Sequence, residues 1–255
     1  MPAAVHGKLY LVPAPLDFGC AEQAQLSYVL PDATLHRAAG ITHWICENAR
    51  TARAFLKRIG AIHELVAPLQ AQQLAELPRE VHKKGDHAVA FDARPLLAAA
   101  LEGHDIGLLS EAGVPAVADP GSSVVRAAHE LGLQVVPLPG TGALVLALSA
   151  SGLNGQNFAF VGYLPQDSAQ RAQRLKELEA LALRSGQTQL FIETPYRNLA
   201  VWESVLKTLQ PATRIAVASG LTLPGEKIGS ASVAAWRRAE PPVSNDVPAV
   251  FLVGR

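Results

Sequence analysis

Four short stretches of this chain set polar, charged or glycine residues at spacings that can do chemistry. The longest is Ser110-Glu-Ala-Gly-Val-Pro-Ala-Val-Ala-Asp-Pro-Gly121. Gly113 and Gly121 open backbone conformations closed to other residues, and Pro115 and Pro120 stiffen the path between them. Ala112, Ala116 and Ala118 are small enough to let a ligand approach the backbone. The second stretch is Val136-Pro-Leu-Pro-Gly-Thr-Gly-Ala143, whose Gly-Thr-Gly opens a helical run. It suits a phosphate or carboxylate cradle, and equally an interdomain turn. It is not a dinucleotide fingerprint, because positions 140–145 read Gly-Thr-Gly-Ala-Leu-Val. Third, Glu47-Asn-Ala-Arg50 puts a carboxylate and a guanidinium at the end of an apolar run. Arg50, Arg53 and Lys57 then recur on one helical face, as a solvated stripe or as a contact for an anionic substrate. Fourth, Ile192-Glu-Thr-Pro-Tyr-Arg197 gathers Glu193, Tyr196 and Arg197 around a strand-to-helix turn. Thr194 is placed to cap and Pro195 suits the first helical turn, so the turn alone explains the cluster; a cleft or a subunit interface is the alternative.

Other chemistries lack their residues. The eight histidines show no metal-ligand spacing; His82 and His87 flank Lys83-Lys-Gly-Asp86, an expected exposed turn. No Gly-x-Ser-x-Gly, Walker A, HExxH or CxxC pattern occurs, which removes support from hydrolase and nucleotidase readings. Cys20 and Cys46 are too few for a disulfide framework or a cysteine-rich metal site, and reduced thiols fit a cytoplasmic protein. The N-terminal stretch Met1 to Gly7 lacks the basic-then-apolar pattern of a signal peptide.

The elements that must position these stretches alternate in type. Lys8 to Val12 and Thr42 to Cys46 read as strands; Asn48 can cap a helix through Gly60, with Ala52, Phe55, Leu56 and Ile59 at helical period. Pro95 to Glu102 reads as a helix closed by Gly103, Asp105 to Leu109 as a strand, Ser122 to Leu131 as a helix and Gln134 to Pro137 as a strand. This order is that of βαβ units on a mostly parallel sheet. Beyond it, Phe158 to Gly162 and Gln189 to Glu193 read as strands around an amphipathic helix, Asp167 to Leu183. Arg214 to Ala218, Lys227 to Ser230 and Ala249 to Val253 are strands spaced closely enough for antiparallel pairing. The expected architecture is therefore two α/β domains, residues 1–139 with a mostly parallel sheet and residues 140–255 with a mixed one.

Composition narrows the classes further. The 255 residues are 49% hydrophobic and 17% charged, an ordinary globular balance. No apolar run reaches the roughly 18 residues a membrane helix needs. Lys and Arg number 22 against 22 Asp and Glu, so an indiscriminate electrostatic nucleic-acid binder is excluded, though local basic faces are not. The halves differ: residues 1–139 carry 11 Lys/Arg against 14 Asp/Glu, and residues 140–255 carry 11 against 8.

Taken together, these stretches resemble the tetrapyrrole methylase superfamily of S-adenosylmethionine-dependent methyltransferases, most closely its branch that 2'-O-methylates a cytidine of small-subunit ribosomal RNA. The resemblance runs from about Lys8 to Arg255 and rests on several motifs in order. They are Val12-Pro-Ala-Pro15, Ser110-Glu-Ala-Gly-Val-Pro115 with Asp119-Pro-Gly121, Pro137-Leu-Pro-Gly-Thr-Gly-Ala143 with Leu148-Ser-Ala-Ser-Gly-Leu153, Gly162-Tyr-Leu-Pro165, and Glu193-Thr-Pro-Tyr-Arg197. Where that branch carries Ile-Gly-Asn-Leu-x-Asp and Glu-Asp-Thr-Arg, this chain has Leu16-Asp-Phe-Gly-Cys20 and Glu47-Asn-Ala-Arg50.

The resemblance implies two α/β domains holding S-adenosyl-L-methionine in the cleft between them, in a homodimer, and no metal. Cofactor contacts carried over by position are Pro13, Ser110, Glu111, Ala112 and Gly113, then Val117, Ala118 and Asp119. Leu138, Thr141, Gly142 and Ala143 follow, with Phe191, Leu221 and Pro248 from the second domain. The acceptor it implies is RNA; a small molecule such as a tetrapyrrole-like metabolite, or a catalytically inactive relative, is the alternative. Methyl transfer from a sulfonium is an in-line displacement that asks the protein mainly for alignment. A ribose hydroxyl also wants a base or a polarising cation, which points to Glu47 with Arg50, and after them to Glu111 or Glu193.

Overall fold

The computed structural model describes residues 6–84, 86 and 91–255. The start of the chain through Val5 and the residues around the turn expected between His82 and His87 lie outside this set, except that a helix runs on through Lys84 and Asp86 is placed. The chain divides into two compact units. One holds the chain up to Phe18 with Ala24–Thr141, the other Gly19–Gln23 with Gly142–Arg255.

The first unit contains β1 (Leu9–Val12), α1 (Leu26–Val29), α2 (Asp32–Ala39), β2 (His43–Cys46), α3 (Ala49–Gly60), β3 (Gln73–Glu76) and α4 (Arg79–Lys84). A 3-10 turn (Arg94–Leu97) leads into α5 (Ala98–Leu101), followed by β4 (Ile106–Leu109), α6 (Ser122–Glu130) and β5 (Val135–Pro137). The helix expected from Pro95 thus begins as a tighter turn. The strands pair in the order β3-β2-β4-β1-β5, every pair parallel. Parallel strands in register end together, so Val12, Cys46 and Leu109 finish side by side and their following loops leave from one edge.

Period-two alternation divides the apolar residues between the faces of this sheet. Tyr10, Val12, Trp44 and Cys46 pack with the helix residues Leu35, Ala52, Leu56 and Ile59. Leu9, Ile45, Ile106 and Leu108 pack with Leu97, Val124 and Ala128 on the other. Trp44 is only 1% exposed and its indole N–H donates to the Gln72 carboxamide at 2.9 Å. Its ring lies across Gly107 on the neighbouring strand, where a Cβ would stand 2.4 Å from a ring carbon.

The second unit contains α7 (Ala143–Ser151), β6 (Phe158–Tyr163), α8 (Ser168–Ser185), β7 (Thr188–Glu193), α9 (Asn198–Thr208), β8 (Arg214–Ser219), β9 (Lys227–Ser232), α10 (Val233–Trp236) and β10 (Ala249–Gly254). Its sheet runs β6-β7-β10-β8-β9. β6 and β7 are parallel because α8 carries the chain back between them; the other pairs are antiparallel. Phe191 and Phe251 stack at 5.2 Å in the core, and Trp202 meets Trp236 edge-on. Among the described residues no helix is long and apolar enough to cross a membrane.

Gly107→Ala forces a methyl group into the Trp44 ring, and overpacking of this kind costs about 1–3 kcal/mol. Urea unfolding followed by Trp fluorescence is expected to give a lower midpoint with an unchanged slope.

Candidate functional site

The carboxyl ends of β1 and β4 are tied by a two-residue bridge. The Ala14 N–H donates to the Gly113 carbonyl at 2.8 Å, and the Gly113 N–H donates to the Ala14 carbonyl at 3.0 Å. Gly113 makes the bridge with φ +75, a conformation that favours glycine. The end of β5 closes on the same spot: the Leu138 N–H donates to the Leu11 carbonyl, and the Thr141 hydroxyl approaches the Ala14 carbonyl at 3.4 Å. Gly140 lies so close to Pro13 that a Cβ would stand 2.3 Å from its ring. Within the first unit, then, Pro13, Ser110 to Gly113, Leu138 and Thr141 are brought together.

Past the bridge the loop is strained and tied at its far end. Ala116 and Ala118 hold φ +64 and +65, and Gly121 holds φ +132. Val117 and Ala118 are exposed, as loop residues open to a ligand must be. Asp86, 2% exposed, accepts from the Gly121 N–H, the Ser123 N–H and the Ser122 hydroxyl at 2.6–2.9 Å. These bonds hold its carboxyl below the usual range despite burial and satisfy the first N–H groups of α6.

Three carboxylates share this edge. Glu47 accepts from the Glu111 N–H at 3.2 Å, and Glu111 accepts from the Thr51 hydroxyl at 2.5 Å. Asp119 makes no hydrogen bond or ion pair among the described residues. Burial, then Glu47 and Glu111, push its carboxyl up to about 7. Cys46 beneath them is pushed up to about 12 by burial, Glu76 and Glu111, so it is a neutral thiol at physiological pH. Helix α3 starts here, capped by the Asn48 side chain on the Arg50 N–H and by Glu76 on the Ala49 N–H. Arg50 itself points outward and is exposed.

In the second unit, Gly142 is the N-cap of α7 and Ala143 its first residue, with no side chain capping that end. Leu221 and Pro248 lie at one edge of the second sheet, where the Gly220 N–H donates to the Pro248 carbonyl. The Phe191 side chain is instead wholly buried on Phe251, which leaves only its backbone for contact with a ligand. Beside it, Glu193 is 4% exposed, pairs with Arg197 at 3.2 Å and accepts from the Thr194 N–H and hydroxyl. Thr194 therefore does not cap the turn as its position suggested; the neighbouring carboxylate takes its hydroxyl.

Thr51 and Glu76 are absent from the residues that sequence pattern singles out, and Asp86, expected in an exposed turn, is instead buried because its carboxylate accepts the Gly121 and Ser123 N–H groups. Asp86 sits 35 residues from the N–H it accepts and Thr51 60 residues from Glu111, distances that no local motif spans.

Comparison with known proteins gives concordant matches. The family model described as Tetrapyrrole (Corrin/Porphyrin) Methylases matches residues 35–235. A protein of Escherichia coli O157:H7 named ribosomal RNA small subunit methyltransferase I is 34% identical over 228 residues, 89% of this chain and 70% of that one. Proteins of the same name from Mesorhizobium japonicum and Pseudomonas aeruginosa are 33% and 44% identical over 191 and 97 residues. Those matches span 58% and 33% of the relatives' lengths, and 74% and 38% of this chain. Among solved structures, the methyltransferase CobJ aligns with a TM-score of 0.58 at 19% identity, covering 98% of this chain and 94% of that one. The native form of uroporphyrin III C-methyl transferase from Thermus thermophilus aligns at 0.54 and 17%, covering 98% of each. These two likenesses concern the fold.

Asp119 supplies a pH test of the site's electrostatics. Its folded pKa of about 7 lies above the ordinary 3.8, so the folded chain holds this proton more tightly than the unfolded one. The stability this gives is complete below about pH 4 and is lost as pH rises through about 7. Asp119→Asn stays neutral throughout. Its thermal midpoint is expected to gain on the parent's progressively from about pH 4 to about pH 7 and to level off above that; parallel pH profiles would contradict the assigned shift.

Proposed function

We propose that this chain, which belongs to the tetrapyrrole methylase family, transfers a methyl group from S-adenosyl-L-methionine to RNA of the small ribosomal subunit. The observation that carries this reading is the bridged edge at Ala14 and Gly113, with its strained small-residue loop, in a chain 34% identical over 89% of its length to a small-subunit methyltransferase. Two copies acting as a homodimer in the cytoplasm complete the reading, which the resemblance supports.

The residues present fit the methyl donor. Gly113 has its missing Cβ 3.3 Å from Leu16 and 3.8 Å from the Thr141 carbonyl, so any side chain there would fill the space against the bridge. Ala112 and Ala118 leave backbone groups reachable. We assign cofactor contacts in the first unit to Pro13, the Ser110–Gly113 and Val117–Asp119 segments, Leu138 and Thr141, and in the second unit to Gly142, Ala143, Phe191 through its backbone, Leu221 and Pro248. When bound, the donor supplies a methyl group on a positively charged sulfur.

The protein's own part is alignment and charge. Rigid anchoring of the loop at Gly113 and at Gly121 fixes where the reacting atoms meet, and such positioning is worth several orders of magnitude in rate. Glu47, Glu111 and Asp119 give the edge a negative field that attracts a cationic donor. Glu47 orients the Glu111 backbone and is the acceptor-side carboxylate, while Arg50, two residues into the capped start of α3, is an exposed cation on the acceptor side and not its ion-pair partner. Asp119 adds a carboxyl near neutrality that can take a proton from a hydroxyl acceptor.

Radiolabelled methyl transfer to 30S subunits from a strain lacking its own enzyme of this type tests the reading. Ribonuclease-sensitive incorporation is expected; cofactor binding by calorimetry with no incorporation would exclude RNA as acceptor. Gly113→Val is expected to weaken cofactor binding at least about 10-fold while far-UV circular dichroism stays unchanged, because a β-branched residue resists positive φ.

A further inference from the structure

We propose that the exposed face of α3 is the surface on which the RNA backbone docks, with Arg50, Arg53 and Lys57 as its phosphate contacts. The inference rests on the RNA reading above and adds the protein surface that meets it.

Helix α3 concentrates cations in an acidic unit. Arg50, Arg53, Lys57 and Arg58 fall within its twelve residues, which include no Asp or Glu. They are four of the 11 Lys/Arg among residues 1–139, a stretch with 14 Asp/Glu. Arg58 turns inward and is neutralised: its guanidinium pairs with Asp17 at 3.0 Å and donates to the Ala24 carbonyl at 2.7 Å. Arg50, Arg53 and Lys57 are exposed and make no ion pair or side-chain hydrogen bond among the described residues.

This arrangement works against the helix that carries it. Arg50 and Arg53 are three residues apart, Arg53 and Lys57 four, and like charges at these spacings destabilise a helix by about 0.2–0.5 kcal/mol per pair. Arg50 also sits in the first turn, where the helix dipole disfavours a cation. A merely solvated face gains nothing by omitting acids from all its exposed positions. A polyanion removes the repulsion and meets all three charges on one side of a helix, along about 10 Å of its length.

The face is also held in register with the reacting edge. Thr51, between Arg50 and Arg53, is bonded to Glu111, while Asn48 and Glu76 fix the helix start. Arg53 lies close enough to Cys46, at the end of β2, to act on its thiol. An RNA backbone along α3 is therefore delivered to the edge where Glu47 and Asp119 lie. Those carboxylates repel phosphate, so cations immediately beside them are needed if an RNA is to approach.

The test compares R50Q/R53Q/K57Q with a charge-matched control, K176Q/R184Q/R214Q, whose exposed cations lie in the second unit. Binding to 30S subunits is measured from 50 to 300 mM salt, and cofactor affinity by calorimetry. Each lost phosphate contact on single-stranded RNA lowers the log–log salt slope by about 0.7. The α3 variant is expected to lose about 2 in slope and to bind at least about 10-fold more weakly at low salt, with cofactor affinity unchanged. The control should keep the parent slope, and R50K/R53K should restore it. An α3 variant with the parent's slope, or a control that loses as much, overturns the docking surface alone. A parent that neither binds nor methylates 30S RNA overturns the function and the surface with it.

Discussion

The pair of hydrogen bonds between Ala14 and Gly113 is the constraint on which the first unit's working edge depends. Parallel strands need no contact beyond their last ladder bond, and their exits normally diverge into separate loops. Here the exits of β1 and β4 are joined after the sheet has ended, and the end of β5 folds onto the same carbonyl through Thr141. Three strand exits distant in sequence thereby share one rigid point. The glycine at that point is required twice, for its positive φ and for the space between Leu16 and the Thr141 carbonyl.

Charge at this edge is arranged with the same economy of parts. One glutamate holds a backbone N–H, the next holds a threonine, and the third carboxyl, on Asp119, makes no hydrogen bond among the described residues. The two that are hydrogen-bonded order the backbone, and their charges perturb the one that is not. Structure and reactivity are thus divided among neighbouring carboxylates by their hydrogen bonding rather than by residue type.

Much of this was legible in the sequence, for physical reasons that differ by element. Strands β1, β2 and β4 are short apolar runs buried on both faces, and α3 announces itself by Asn48 and its helical period. The glycine and proline of the Ser110–Gly121 loop marked its strained backbone in advance. Strand β3 was not legible, because Gln-Leu-Ala-Glu has no β-branched residue and a half-solvated edge strand needs none. Helices α1 and α2 were hidden by their shortness, α2 also by Pro31 at its N-cap without a side-chain hydrogen bond. Asp86 and Thr51 act across 35 and 60 residues of chain, and only the folded arrangement reveals such pairings. Thr194 illustrates the converse: its type and position read as a cap, and a glutamate one residue away took the hydroxyl instead.

Ala116 and Ala118 stand in the left-handed conformation where glycine is the easier choice. A glycine in either place would relax the folded loop and also widen the range of shapes open to it before any ligand arrives. Alanine narrows that range at the cost of standing strain. The entropy of ordering the loop is accordingly met when the chain folds, once per molecule, and not again at every encounter with a ligand. In kinetic language the loop is a preset latch, and its two small methyl groups are what keep it set.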